Sequence, residues 1–552
     1  MACKRGRSMT VADVLVAELR ERGVTSVATL NGHGLDPFYL ACQRGGMRVI
    51  GVRNEQAAGY MAEVTGRLSR RVGVCAVSGA VAHANALTGV LNAALDGAPM
   101  LLITGITPLA RLGYGDFQDF NPVPMAAPIC KYARLVDAPE QIGQIVHEAF
   151  VAATSGRPGP VHLALPMDVA AAEIDVASVP RSQVRSGDVR PTGAAEKQSI
   201  DEAVQLIGRA EHPVLVAGSG VYYAGGEQVL AEFADQQQIP TVVPIWDRGT
   251  IVEPAGTFMG VVGAASGGAR LLPDADLIIL AGAEFDYRVG QLSPPIVRED
   301  ASVIRIHADE LRLRRGREMS LSIQGSPRTI LAQLTEACRS AGCKPTGVWL
   351  AEAARRRDEY RQRCLAAADK LPAGLNGRDV VLDILEVLSD DSLLLVDGGN
   401  IGQWFHQLLP GRYPGHWVTC GASGVVGWGV PGAMAARALH PDRPVILLSG
   451  DGSFTFTIAE LECAARQGLA FVAVVADDQQ WGISVSGHVR DYGAPLYSLL
   501  GPTRLDTVAE GFGCRGVRVE KREQLPGALR AALSADVPTV IHVPIRPSCP
   551  GD

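Results

Sequence analysis

The chain has 552 residues, 47% of them apolar and 20% charged, enough to bury more than one core and to predict a globular protein of about two to four domains. A net charge of −7 with no sustained run of Lys or Arg leaves no electrostatic footprint for nucleic acid, and no window reaches the roughly 18 uninterrupted apolar residues of a membrane span. A small molecule or another subunit is the expected partner. The basic first residues lead into an amphipathic stretch and not an apolar secretory core, so the expected location is the cytoplasm, where eleven cysteines without metal-site spacing read as buried free thiols.

From Met9 the pattern predicts helices over 11–22, 36–44 and 56–68 alternating with strands over 26–30, 48–52 and 72–77, and the strand-like runs continue at 99–105 and 159–166. A polar stretch with Pro and Ser over 176–199 reads as a linker. Buried strands over 212–220, 239–246, 274–285 and 301–309 predict a second unit at crossover spacing. A charged helix over 349–370 leads to a third, with strands over 391–399, 443–453, 469–478 and 537–544. The expected fold is α/β: three doubly wound parallel-sheet domains over 9–175, 195–340 and 375–545, with no sequence repeat among them.

In the third unit "PVILLSGDGSF" (444–454) carries a buried strand into a Gly-flanked acidic turn, followed by an amphipathic helix over 457–467. Glycines let a backbone approach a phosphate, and the unpaired N–H groups of a helix start face the anion. Asp451 in such a turn repels a phosphate unless a cation lies between them, a role Mg²⁺ takes by bridging carboxylate and phosphate oxygens. The next strand is parallel, so its C-terminal end brings Asp478 to the sheet edge that carries Asp451. Single aspartates are commonly turn residues or helix caps; the whole constellation carries more weight.

A G-D-G turn followed about 25 residues later by a polar doublet and a glycine resembles the signature of thiamine diphosphate enzymes, with Asp477 and Asp478 where that family usually has two asparagines. The resemblance implies thiamine diphosphate and Mg²⁺ as cofactors. By it, Asp451, Asp478 and the Gln480 carbonyl look like the metal ligands, Gly452 and Ser453 look like diphosphate contacts, and Trp481 joins the cofactor site. The added carboxylate implies a cofactor affinity more dependent on metal and pH.

Other segments extend the resemblance over nearly the whole chain. "RNEQAAGYMAEVTGR" (53–67) is similar to the glutamate signature of the pyrimidine-binding domain. That implies Glu55 against the aminopyrimidine nitrogen, shifting the ring to its imino form, which then deprotonates the thiazolium carbon. "CGASGVVGWGVPGAMAA" (420–436) resembles the segment around the thiazolium ring, with the Gly424 carbonyl on the cofactor amino group and Val426 as a small apolar wedge. "VDGGNIGQW" (396–404) looks like a second diphosphate loop, with Gly399 and Asn400 on the phosphates, and "GDFQDFNPVPMAAPICKYA" (115–133) like the loop that brings a glutamine, here Gln118, to the active site. The family order is pyrimidine-binding, middle and diphosphate-binding domain. The family joins these across a subunit interface, which implies a homodimer or homotetramer.

The branch stays open on sequence. "NGHGLDPFYLAC" and "QQWG" resemble benzaldehyde lyase, "RNEQAAGY" and "GRPGPVHLALP" resemble CoA-using lyases and decarboxylases, and "GDFQDFNP" also fits acetolactate synthases. His33 stands one place before the position of the benzaldehyde lyase histidine, and His83 replaces a small or apolar residue of a glycine-rich loop; either can carry protons or simply solvate its surroundings. Met167 and Ile483 fall at positions lining the substrate pocket. The short tail after Pro544 leaves no segment for the lid of CoA-using relatives. The resemblance implies carbon–carbon bond making or breaking beside a carbonyl, on a 2-keto acid in an acetolactate synthase-like reaction or, alternatively, on a 2-hydroxyketone. Glu55, Gln118 and His33 are the expected catalytic residues. A non-catalytic regulatory or scaffolding role is the alternative from another class. "GAEFDYRVGQ" (282–291) resembles a segment of flavin-carrying acetolactate synthases and leaves FAD open.

Overall fold

The computed structural model describes residues 8–175, 179, 193–247, 251, 256–316, 318–368, 374–408 and 416–548, so most of the expected linker at 176–199 lies outside the described residues. The chain divides into two compact units, one taking residues up to Arg190 together with Val430–Asp442 and Thr457–Ala470, the other taking the remainder. Among the described residues no helix is long and apolar enough to cross a membrane.

The first unit is built on a six-stranded parallel sheet in the order Arg48–Gly51, Ser26–Thr29, Gly73–Ser78, Met100–Ile106, Pro160–Pro166, Tyr132–Leu135. Its central strands Gly73–Ser78, Met100–Ile106 and Pro160–Pro166 are buried at every position, which is why they read as continuous apolar runs. The helix Val11–Glu21 starts on a reciprocal cap, Asp13 N–H donating to Thr10 Oγ1 and Thr10 N–H to Asp13 Oδ2, both at 3.1 Å. Helices Glu55–Ser69 and Val81–Asp96 cross at Gly59 and Gly89, where a Cβ on Gly89 would lie 2.4 Å from the Gly59 carbonyl carbon. Only glycine permits that approach.

The second unit holds two further six-stranded parallel sheets. The middle one runs Phe258–Val262, Thr241–Pro244, Pro213–Ala217, Leu277–Ala281, Ser302–His307, Leu321–Gln324, and the last runs His416–Thr419, Leu393–Asp397, Val445–Gly450, Val472–Asp477, Thr539–Pro544, Arg515–Arg518. The fold is therefore three α/β domains with doubly wound parallel sheets. The expected helix over 457–467 is observed as the shorter Glu460–Arg466, and a separate helix, Asp451–Phe456, stands directly at the strand end where a turn was expected. Leu461, Cys463 and Ala464 of Glu460–Arg466 are buried.

Candidate cofactor site

The C-terminal ends of Leu393–Asp397, Val445–Gly450 and Val472–Asp477 lie side by side in the last sheet, the edge where open α/β sheets bind ligands. A cavity of about 190 Å³ opens there, and Asp451, Asp478 and Gln480 line it together. Burial first, then the charge of Asp478, pushes Asp451 up to about 8, and burial also raises Asp478. Two desolvated carboxylates facing one cavity are a donor set for a hard divalent cation.

The segment beyond Asp478 shows how a third oxygen is made available. Trp481 N–H donates to the Ser498 carbonyl (2.8 Å) and Leu500 N–H to the Gln479 carbonyl (2.7 Å), so Gln480 pairs with Leu499 in an antiparallel bridge. In that pattern the N–H and C=O of Gln480 point away from Leu499 and stay outside the bridge. Asn400 Nδ2 donates to Asp478 Oδ2 (3.0 Å) and to the Ser548 carbonyl (2.9 Å), which orients the Asp478 carboxylate. Gly482 sits so close that a Cβ would be 2.7 Å from Asn400 Nδ2 and 2.9 Å from Asp478 Oδ2.

The remaining expected cofactor contacts of this unit assemble on the same walls. Gly399, Asn400, Gly452 and Ser453 line the cavity, as do Val426, Trp481 and Ile483. Gly424 is exposed at φ 66° in the turn two residues before Val426. Asp397, a residue without a sequence signal of its own, holds that turn: its Oδ2 accepts the Gly429 N–H at 2.8 Å, and burial pushes its carboxyl up to about 7. The residues present thus offer oxygens for a metal, glycine-lined backbone for a diphosphate and an apolar wall for a ring.

The other expected residues belong to the first unit and follow its strands at their C-terminal ends. Glu55 opens the helix Glu55–Ser69, and its Oε2 accepts from Asn85 Nδ2 at 2.9 Å. Ser78 Oγ ties two expected residues together, donating to the His33 carbonyl at 2.6 Å and lying 3.2 Å from Gln118 Oε1. Gln118 adopts the left-handed conformation (φ 56°), and the His33 ring meets Phe117 edge-on with centroids 5.6 Å apart. Met167, half-buried, begins the short helix at the end of Pro160–Pro166. His83 does not join this group through its hydrogen bonds. It is fully buried, with Nδ1 at 2.8 Å from Thr104 Oγ1, which in turn lies 2.9 Å from His162 Nε2, and burial brings His83 down to about 4.

Three family domains match the chain: the thiamine pyrophosphate enzyme N-terminal TPP binding domain over residues 9–125, the central domain over 200–334 and the C-terminal TPP binding domain over 397–543. The chain belongs to the thiamine pyrophosphate enzymes. It is 30% identical to the acetolactate synthase large subunit of Corynebacterium glutamicum, over 97% of this chain and 88% of that protein. It is 29% identical to the large subunit from Parasynechococcus marenigrum (98% and 88%), and 28% identical to isozyme 1 of Escherichia coli (98% and 94%). Alignment of this extent along all three domains makes it a thiamine diphosphate-dependent enzyme of the carboligase kind.

In this thiamine diphosphate enzyme the loop before Glu55 is held by residues that sequence reasoning passed over. The Glu460 carboxylate, 1% exposed, accepts from the N–H groups of Arg53 and Asn54, and the Gln467 amide pairs with both the N–H and the C=O of Gly51 at 2.8 Å. Those two residues lie about 400 positions away in sequence, and an acid and an amide on an amphipathic helix give no sign of such a partner.

Proposed function

We propose that the enzyme decarboxylates a 2-keto acid and joins the acyl remainder to a second carbonyl compound, in the manner of an acetolactate synthase, with Mg²⁺ as its metal. The observation that carries this is the convergence of Asp451, Asp478 and Gln480 on one cavity at the strand ends. Bound thiamine diphosphate supplies the electron sink that makes a bond beside a carbonyl breakable. Asp451, Asp478 and the Gln480 carbonyl hold the metal, while Gly399, Asn400, Gly452 and Ser453 take the diphosphate, with Trp481 alongside. The Gly424 carbonyl would accept from the cofactor amino group, and Val426 would stand as an apolar wall against its rings.

Glu55 holds or releases a proton at the pyrimidine nitrogen, with Asn85 fixing its carboxylate. Gln118 hydrogen-bonds the substrate carbonyl, and His33 passes a proton to or from it, their common anchor being Ser78. Met167 and Ile483 form apolar walls of the substrate pocket. His83 is read as structural: a ring held down to about 4 is neutral near pH 7 and poorly matched to proton transfer there. Cleavage of a 2-hydroxyketone is the second reading, favoured by the accessible His33 ring beside Phe117.

Two chains complete the reading, Glu55 of one serving the cofactor held by Asp451 of the other, in a homodimer or a pair of dimers. Exposed Val81, Leu91 and Leu95 on the helix that carries Asn85, with exposed Tyr114 and Phe117 nearby in sequence, support an apolar subunit interface. FAD has no part in it. The first glycine turn of the middle sheet is filled from within: Ser219 N–H donates to Asp247 Oδ2 (2.9 Å), Asp247 also pairs with Arg288 (2.5 Å), and a Cβ on Gly218 would lie 2.3 Å from Ala283 Cα. A carboxylate occupies the N–H that a dinucleotide's diphosphate needs.

The deciding experiment supplies ¹³C-labelled pyruvate, thiamine diphosphate and Mg²⁺ and follows products by NMR. Release of labelled CO₂ with a new carbon–carbon bond is expected. Inertness to pyruvate with cleavage of benzoin to aldehyde overturns the keto-acid reading in favour of the lyase.

A further inference from the structure

Asp477 closes the strand Val472–Asp477 and Asp478 follows at once, yet the two carboxylates have different surroundings. Successive side chains on a strand alternate, and the cavity is lined by Ala476 and Asp478 but not by Asp477. Asp477 is 4% exposed and has both oxygens engaged: Oδ1 accepts the Gln479 N–H at 3.1 Å, and Oδ2 lies 2.8 Å from His542 Nε2. His542 is itself fully buried on the neighbouring strand Thr539–Pro544, in register with Val475, so its ring shares a face with Asp477.

The other ring nitrogen of His542 completes a chain. Nδ1 lies 3.2 Å from Asp506 Oδ1, and Asp506 is paired with Arg504 through Nε (3.0 Å) and Nη2 (2.6 Å). Nδ1 also lies 3.5 Å from Arg518 Nη1, and the Nε2 contact is a hydrogen bond from the ring to Asp477 in the tautomer that carries its hydrogen there. The ring then offers a donor to Asp477 on one side and faces Asp506 and Arg518 on the other. The turn that follows Asp477 carries Asp478 and Gln480, both of which line the cavity.

We propose that His542 is a positioning residue for the metal site: through Asp477 it locks the strand end that aims Asp478 and Gln480, and it keeps Asp477 itself off the metal. The inference rests on the reading of Asp451 and Asp478 as metal ligands. It gives the doubled aspartate a division of labour, one carboxylate for the metal and one for the frame.

The test is titration of the full-length protein with Mn²⁺ in the presence of thiamine diphosphate, bound metal being read by EPR. Asp477→Asn keeps an acceptor for Gln479 N–H and is expected to bind Mn²⁺ within about threefold of wild type. His542→Ala leaves a buried carboxylate without its donor and is expected to need about tenfold more Mn²⁺, with kcat at saturating metal within about threefold. Asp477→Asn/His542→Ala is expected to recover most of that loss, because a buried amide costs less than a buried carboxylate to leave without its donor. Loss of 30-fold or more in Asp477→Asn makes Asp477 a ligand and overturns the proposal; so does unchanged metal affinity in folded His542→Ala, or a double variant no better than His542→Ala. If His542→Ala does not fold, His542→Gln, which can still donate to Asp477, replaces it, with a smaller loss expected and no loss overturning the proposal. Wild-type protein that binds no Mn²⁺ at all refutes the metal reading itself, a different outcome from any of these.

Discussion

Both carboxylate oxygens of Glu460 lie 3.0 Å from the backbone nitrogen of Arg53, two residues ahead of Glu55. A buried acid thus satisfies the N–H groups that would otherwise end unpaired at the strand-to-helix turn. Glu460→Ala is expected to cost about 1–3 kcal/mol for the orphaned donors. It should also lower kcat more than it changes KM, since Glu55 loses its fixed approach. A folded Glu460→Ala with normal kcat would remove Glu460 from the positioning of Glu55.

The same residue gives a pH prediction. Burial pushes Glu460 up to about 7, against the opposing pull of the Arg53 and Asn54 N–H groups. An acid raised on folding binds its proton better in the native state, so its contribution is fully present below about 4.5, the unfolded value, and is lost as pH rises through about 7. Glu460→Gln cannot titrate. Wild type should therefore gain Tm relative to Glu460→Gln as pH falls from 8 to 5, and parallel Tm profiles would refute it.

Glu55→Gln keeps the helix, because the cap is made by Asn54, whose side chain accepts from Gln56 N–H. Turnover is expected to fall by about 10²–10⁴-fold, the range for loss of a positioned acid–base group. Deuterium exchange at the thiazolium carbon should vanish with it. Asn85→Ala, which only frees the Glu55 carboxylate, should lose less. Exchange at the wild-type rate in Glu55→Gln would dismiss Glu55 as the activating acid.

How much of this was legible in sequence follows from strand position. Fully buried central strands such as Met100–Ile106 and Leu393–Asp397 show as apolar runs, whereas Tyr132–Leu135, Phe258–Val262, Leu321–Gln324, His416–Thr419 and Arg515–Arg518 escaped notice, and each is a sheet edge. Most of those edges, such as Leu321–Gln324 and Arg515–Arg518, are short and part polar, so nothing in their pattern separates them from loops. Among the candidate residues, local motifs marked Asp451, Asp478 and Glu55. Glu460, Gln467, Asp397 and His542 act through partners far along the chain, and His83 looked like a loop histidine because its burial against Thr104 and His162 is a tertiary fact.

The filled turn of the middle domain predicts a colourless protein. Purified enzyme should show no flavin absorbance near the visible band, and added FAD should leave its Tm unchanged, since Asp247 and Arg288 already occupy Ser219 N–H and each other. Asp247→Ala is expected to destabilise, because among the described residues it leaves the buried Arg288 with the partly exposed Asp286 as its one ion partner. Stoichiometric flavin in the purified protein would refute this account of the turn.

The metal site offers a graded series. Asp451→Ala removes one of two cavity carboxylates and should abolish the Mg²⁺-dependent rise in Tm that thiamine diphosphate produces, a rise set by ligand concentration over Kd. Asp478→Asn can still turn an oxygen toward Asn400 and so should weaken Mg²⁺ by about tenfold, or about 1.4 kcal/mol. Gly482→Ala tests orientation apart from charge: its new Cβ would press on Asn400 Nδ2 and Asp478 Oδ2, at 2.7 and 2.9 Å, and must part them. It should raise the Mg²⁺ requirement although no ligand is lost. If Gly482→Ala and Asp478→Asn both left the Mg²⁺ titration unmoved while Asp451→Ala abolished it, Asp478 would be framework and the metal would depend on Asp451 alone.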